Sequence, residues 1–229
     1  VSTGPVGWWL CNEGSGTIAH DLSGNANDAT LENGAAFVTG QQGSAIAFAG
    51  SDEVAITAAQ GPNINYDLTI AMWINRSAIA RGGLLAKTNG STWNYDLIVE
   101  YQPGALTFYS DNLTGNTQTS FYNIIAETNR WYHVAVVRDY NANSTIFFVD
   151  GAPAGGGVQN GVMNVSAGEV INIGSEGDPG SPGTDFFQGD IYDVRIYDRA
   201  LSATEIATLA QAPGSTHRAM GIGIGLMLR

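Results

Sequence analysis

Asp96 and Glu100 stand four residues apart in the alternating stretch "YDLIVEY", the nearest approach in the chain to a pair of catalytic acids. Glycoside hydrolysis needs two carboxyls about 5–5.5 Å apart for retention, or about 6.5–9.5 Å for inversion. On a strand both acids would face one side, but four residues at about 3.3 Å each hold their backbones about 13 Å apart. The pair therefore reads as two solvated acids. His133 in "RWYHVAV" falls mid-strand and reads as structural, while His20 and His217 fall in a loop and in the C-terminal segment. The chain has no Ser/His/Asp order, HxxxH spacing, P-loop or dinucleotide fingerprint. A catalytic role is not expected.

Sugar binding has a different signature: aromatic faces stack on the C–H side of a ring, and Asn or Asp side chains fix its hydroxyls. Trp93, Tyr95, Tyr109 and Tyr122 are interleaved with Asn94, Asp111 and Asn112 over one part of the chain. These seven are the candidate carbohydrate-binding residues. Trp8, Trp9, Trp73 and Trp131 lie within strand blocks and are assigned to the core.

Charge narrows the partners. The net charge is −12 and only nine residues are Lys or Arg, too few for a basic stripe, so nucleic acid and anionic membrane surfaces are disfavoured. An acidic surface suits hard cations such as Ca²⁺. Cys11 is the only cysteine, which excludes an internal disulfide and a CxxC metal site and suits core packing. The chain opens on Val1 rather than Met, as after removal of a signal peptide, loss of an initiator Met or truncation. No stretch approaches the roughly 20 apolar residues of a membrane-spanning helix.

The elements that must position these side chains are strands. Charged residues make up 13% of the chain and Gly contributes 30 residues, a mixture that favours strands joined by tight turns. "YDLTIAMWINRS" alternates, with Leu68, Ile70, Met72 and Ile74 on one face and Thr69, Ala71 and Trp73 on the other. "NYDLIVEYQPGALTFYSDN" is a hairpin with Pro103-Gly104 at its turn. "NRWYHVAVVRDYNANSTIFFVDGAPAG" is two strands around an Asn-rich loop, followed by an Asp150-Gly151 turn. "GSAIAFAGSDEVAI" reads as two short strands around a turn, and "EVINIGSE" and "FFQGDIYDVRIYD" complete the set. Roughly a dozen strands at regular spacing predict an all-β, two-sheet antiparallel jelly-roll sandwich. One helix is expected in "LSATEIATLAQ", where Ser202 and Glu205 form a capping box.

The blocks are similar, in order, to those of laminin-G-like, concanavalin-A-like jelly-roll domains, which resemble pentraxins and legume lectins in fold. "NEGSGTIAHDLSGNAND", "GSAIAFAGSDEVAI", "LTIAMWI", "RWYHVAVVRD", "FFVDG", "INIG" and "GDIYDVRIYDRALSATEI" carry the resemblance over about residues 7–210. It implies a structural Ca²⁺ held by Glu13, the Gly50 carbonyl, Asp52 and Asp193. Tyr192 departs from the family pattern, which has Asp there, and that departure weakens a metal site near the last strand. A second acidic loop, "GSEGDPGSPGTD" with Asp178 and Asp185, lacks EF-hand spacing and reads as ordinary turn residues. The E-x-D-x-x-E strand of glucanases with this fold is absent.

Residues 1–211 are thus expected to form one jelly-roll domain and residues 212–229 an apolar, Gly-rich segment that adds a strand. The capped helix is expected to tie the chain end against the sandwich edge. The expected function is a non-catalytic, extracellular or cell-surface domain that binds a polysaccharide or glycan. The alternative is a self-assembling subunit of a filament, surface layer or virion. In it, Ile222, Ile224, Leu226 and Leu228 of residues 213–229 would join subunits into a homo-oligomer.

Overall fold

The computed structural model describes residues 4–51, 54–57, 61–88, 93–99, 104–112, 115–121, 124–158, 161–165, 167–176 and 185–211. The first strands are β1 (Gly7–Trp9), β2 (Ile18–Ala19), β3 (Ala29–Glu32), β4 (Ala36–Gly40), β5 (Gly43–Ala49) and β6 (Val54–Thr57). The middle of the chain forms β7 (Leu68–Arg76), β8 (Gly82–Thr88), β9 (Trp93–Val99), β10 (Leu106–Asn112) and β11 (Gly115–Phe121). There follow β12 (Trp131–Asp139), β13 (Ser144–Val149), β14 (Ala152–Val158), β15 (Asn172–Ile173), β16 (Gln188–Tyr197) and α1 (Ala203–Leu209).

The strands form two eight-stranded sheets. The first runs β14-β13-β12-β7-β16-β5-β4, with β1 also paired to β16; the second runs β11-β10-β9-β8-β15-β6-β3-β2. The expected jelly-roll sandwich is what the chain forms. The stretch holding β5 and β6 does not form a hairpin, because β5 pairs with β16 in one sheet and β6 with β15 and β3 in the other.

Alternation builds the core. Ile70, Met72 and Ile74 of β7, with Val134 and Val136 of β12, face inward from the first sheet. Opposite them, Leu31, Ala55, Ile173, Leu85, Leu97 and Phe108 follow one another at one level across six strands of the second. Each of these buried side chains larger than alanine contributes about 1.5–3 kcal/mol. Cys11 is buried and free, as expected of a core thiol.

The β13–β14 turn is made by Asp150 at φ 50° and Gly151 at φ 82°, both left-handed, the requirement of a two-residue hairpin turn. A Cβ on Gly151 would also come within 3.0 Å of Ala210, so glycine lets the end of α1 lie against this turn. The helix begins as its sequence predicts. Ser202 Oγ accepts from Glu205 N–H at 3.3 Å, and Glu205 Oε2 accepts from Ser202 N–H at 2.8 Å. Its position differs from expectation. It lies on the outer face of the first sheet, where Ile206 and Leu201 pack on Ala71, Ala135, Val137, Phe148 and Tyr197. The small side chains Ala71 and Ala135 leave room for it. Among the described residues no helix is long and apolar enough to cross a membrane.

Candidate functional site

The seven candidate sugar-binding residues do not assemble as one surface. Tyr95 is fully buried in the main core, and its hydroxyl donates to the Pro62 carbonyl at 2.9 Å. It shares the face of Leu97 and so points into the sandwich; the Asn and Asp beside it in sequence disguise this. Asn94 sits at a bulge where β9 carries one more residue than β8, and its amide donates to Glu169 at 3.2 Å. Tyr109 and Asp111 share the outer face of β10, and Tyr109 pairs with Asp96 of β9. Asp96 is wholly buried, not the solvated acid expected from the sequence. Trp93 and Asn112 lie in β9 and β10. Tyr122, Glu100, Asp178, Asp52, and Ile222, Ile224, Leu226 and Leu228 lie outside the described residues.

The implied calcium ligands are not brought together. Gly50 follows Ala49, which pairs with Gln188 at the start of β16, while Asp193 lies five residues further along that strand, roughly 16 Å at the strand rise. Asp193 itself is a buried salt-bridge partner. Its carboxylate accepts from Arg195 Nε and Nη2 at 2.8 and 2.9 Å and from the Trp8 indole N–H at 2.8 Å. Among the described side chains of the implied set, Glu13 offers a buried oxygen, Oε2, without a partner. The donor set does not fit one shared ion, because Gly50 lies beside the start of β16 and Asp193 in its middle, and Asp193 is already paired with Arg195. Asp185 is likewise engaged, with Glu176, by the guanidinium of Arg81. Among the described residues no group of three acidic, His or Cys side chains could hold a metal.

A site that the sequence reading missed lies on the outer face of the first sheet, beyond α1. His133, Trp73 and Tyr192 are in register on the adjacent strands β12, β7 and β16. Trp73 stacks on Tyr192 at 5.8 Å and 11°, and meets the His133 ring edge-on at 5.4 Å. The next row is Trp131, Asn75 and Asp190. The half-exposed ring of Trp131 stands edge-on to Tyr192 at 5.0 Å. A β-bulge between Tyr192 and Arg195, with Asp193 at φ 53°, turns Arg195 over the Trp8 ring at 4.6 Å.

Four polar atoms in this patch are buried without a hydrogen-bond partner: Trp73 Nε1, His133 Nδ1, Tyr192 Oη and Asn75 Oδ1. Trp73 is 8% exposed, His133 2% and Tyr192 1%. Burial, reinforced by the nearby Arg195 charge, lowers the His133 pKa to about 3, so the ring is neutral at physiological pH. Burial raises Asp190, partly opposed by the Asn75 amide that donates to its Oδ2 at 3.3 Å. Placing Trp8 and Trp131 in the core is thus corrected: both are half-exposed, whereas Trp9 is fully buried. The signal was the parity of β7, which sets Trp73 with Ala71 on the face away from Ile70 and Met72.

A model of the concanavalin A-like lectin/glucanases superfamily matches residues 48–207. The chain belongs to this superfamily. Tyr192, its departure from the family's usual Asp, is the residue that completes the aromatic stack. Adhesion G-protein coupled receptor V1 of Danio rerio is 28% identical over 162 residues, which are 68% of this chain. The chain spans 2% of that receptor's length. Domain 4 of AbnA, a GH43 extracellular arabinanase from Geobacillus stearothermophilus solved with arabinotriose, superposes with a TM-score of 0.70. It is 15% identical, with 91% of this chain and 98% of that one covered. The binding domain of botulinum neurotoxin DC, solved with rat synaptotagmin II, gives a TM-score of 0.69 at 14% identity, over 90% of this chain and 51% of that one. At these identities the structural likeness establishes the fold.

Proposed function

We propose that this is a non-catalytic carbohydrate-binding domain of the adhesion type, displayed outside the cell, and that it reads sugar on the aromatic half of the first sheet's outer face. The observation that carries the reading is the half-exposed row of Trp131, Asn75 and Asp190, in register on neighbouring strands beside the stacked rings. A sugar ring can lay its C–H groups on Trp131 and turn hydroxyls toward the polar side chains of Asn75 and Asp190. The patch holds two carboxylates, but Asp193 is committed to Arg195. Asp190 alone cannot provide the acid–base or acid–nucleophile pair of a hydrolase. The similarity to part of an adhesion receptor and to a domain of a secreted arabinanase supports external display.

The test is affinity electrophoresis and glycan-array binding with the wild type and Trp131→Ala, with a reducing-sugar assay run in parallel. Binding that depends on Trp131, with no sugar released, is the expected result. Sugar release, or silence across the array, refutes the reading.

A further inference from the structure

We propose that residues 213–229 dock on their own domain, where Ile222, Ile224, Leu226 and Leu228 cover the edge strand β14 and the apolar groove between it and α1. β14 ends the first sheet, with β13 as its partner among the described strands. Its seven residues, APAGGGV, include no charge, and five of them are exposed. An uncharged, exposed edge is a template for pairing that folded proteins usually cover or charge. Beside it lies a groove of about 380 Å³, lined by Val137, Ile146, Phe148, Pro153 and Leu201 among others. Gly156 pairs with Ile146 and offers it no side chain, so Ile146 is 38% exposed. Val158, opposite Ser144 on the same face, is 74% exposed.

Reach and charge name the occupant. Ala210, at the end of α1, lies against Gly151 in the turn where β14 begins. The eleven residues from Gln211 to Ile222 span about 36 Å when extended at about 3.3 Å each, whereas β14 is about 20 Å long. The seven residues from Ile222 to Leu228 can therefore be laid along all seven of β14. Laid there, alternation turns the four large apolar side chains over the groove and Gly223 and Gly225 to the other face. Residues 212–229, outside the described residues, contain Arg218 and Arg229 and no acid, against a net charge of −12 for the chain. Asp139 stands in the groove to meet them. The groove is at the opposite end of β12 from Trp131, so this contact is separable from glycan binding.

Hydrogen exchange read by mass spectrometry, on the full chain and on a variant lacking residues 213–229, tests this. The β14 amides that β13 does not bond should exchange about tenfold or more slowly in the full chain than in the deletion variant. Light scattering should find both monomeric. Ile224→Asp, which leaves the domain itself unaltered, should restore fast exchange in the full-length chain. Ile146→Asp, in the groove, should do the same, with far-UV circular dichroism confirming its fold. Equal exchange in the full chain, the deletion variant and Ile224→Asp overturns the docking. Protection that responds to Ile224→Asp but ignores Ile146→Asp overturns the groove's part in it. Deletion that exposes another strand instead of β14 overturns this acceptor. Deletion that exposes β14 and also lowers the mass from dimer to monomer places the segment on a second copy and overturns the intramolecular assignment.

Discussion

The outer face of the first sheet is divided into two halves carried by the same three strands. In one half Ala135, Ala71 and Tyr197 of β12, β7 and β16 lie beneath α1, with Ile206 sealed against them. In the other, His133, Trp73 and Tyr192 of those strands form an aromatic layer with buried, unpartnered polar atoms. The covered half is apolar and closed off by a helix whose cap is complete. Only a few residues along the strand, large rings bury one another without a helix, and the half-exposed Trp131, Asn75 and Asp190 lie beside them. The covered half serves folding, and the aromatic half carries the surface we propose for a ligand.

Acid should separate the halves most strongly. His133 has a folded pKa near 3 against an ordinary 6.5, so the unfolded chain takes up a proton first as pH falls. Its contribution is fully present above pH 6.5 and is lost below it, by about 1.4 kcal/mol per pH unit until about pH 3. Urea midpoints between pH 7 and pH 4 should fall accordingly, and His133→Phe, which keeps the ring contact with Trp73, should flatten that slope. An unchanged slope would show that the ring is not held neutral by the patch.

Truncation in the covered half comes next. Ile206→Ala should lower stability by about 2–4 kcal/mol in urea unfolding while leaving glycan affinity untouched. A parallel loss of affinity would mean that the two halves are one unit. Ser202→Ala removes one side of the capping box and should cost about 1 kcal/mol, again without effect on binding.

These divisions were partly legible in the sequence. Alternation in "LTIAMWIN" and "YHVAVV" sorts Ile70 and Val134 from Trp73 and His133, and the Ser202/Glu205 spacing marks the helix start. Parity does not say which face a second sheet or a helix will cover, so the sequence assigns Trp131 to the core and Tyr95 to the surface. Partners distant in sequence were also hidden. Nothing local to Tyr192 shows that it will stack on Trp73, and nothing local to Gly50 shows that it lies beside the start of β16, five residues from Asp193. The bulge that turns Arg195 onto Asp193 and Trp8 is written in the pairing of β16 with β7, not in either strand alone.

The most direct test of the division uses the indole N–H signals of the five tryptophans in a ¹H–¹⁵N correlation spectrum during titration with a neutral oligosaccharide that binds. Trp9 donates to the Asn27 carbonyl at 2.9 Å deep in the core and serves as the internal reference. The Trp73 signal, from a buried donor without a partner, should move to saturation together with that of Trp131, while that of Trp9 stays in place. Saturated binding with the Trp73 signal unmoved would contradict the account.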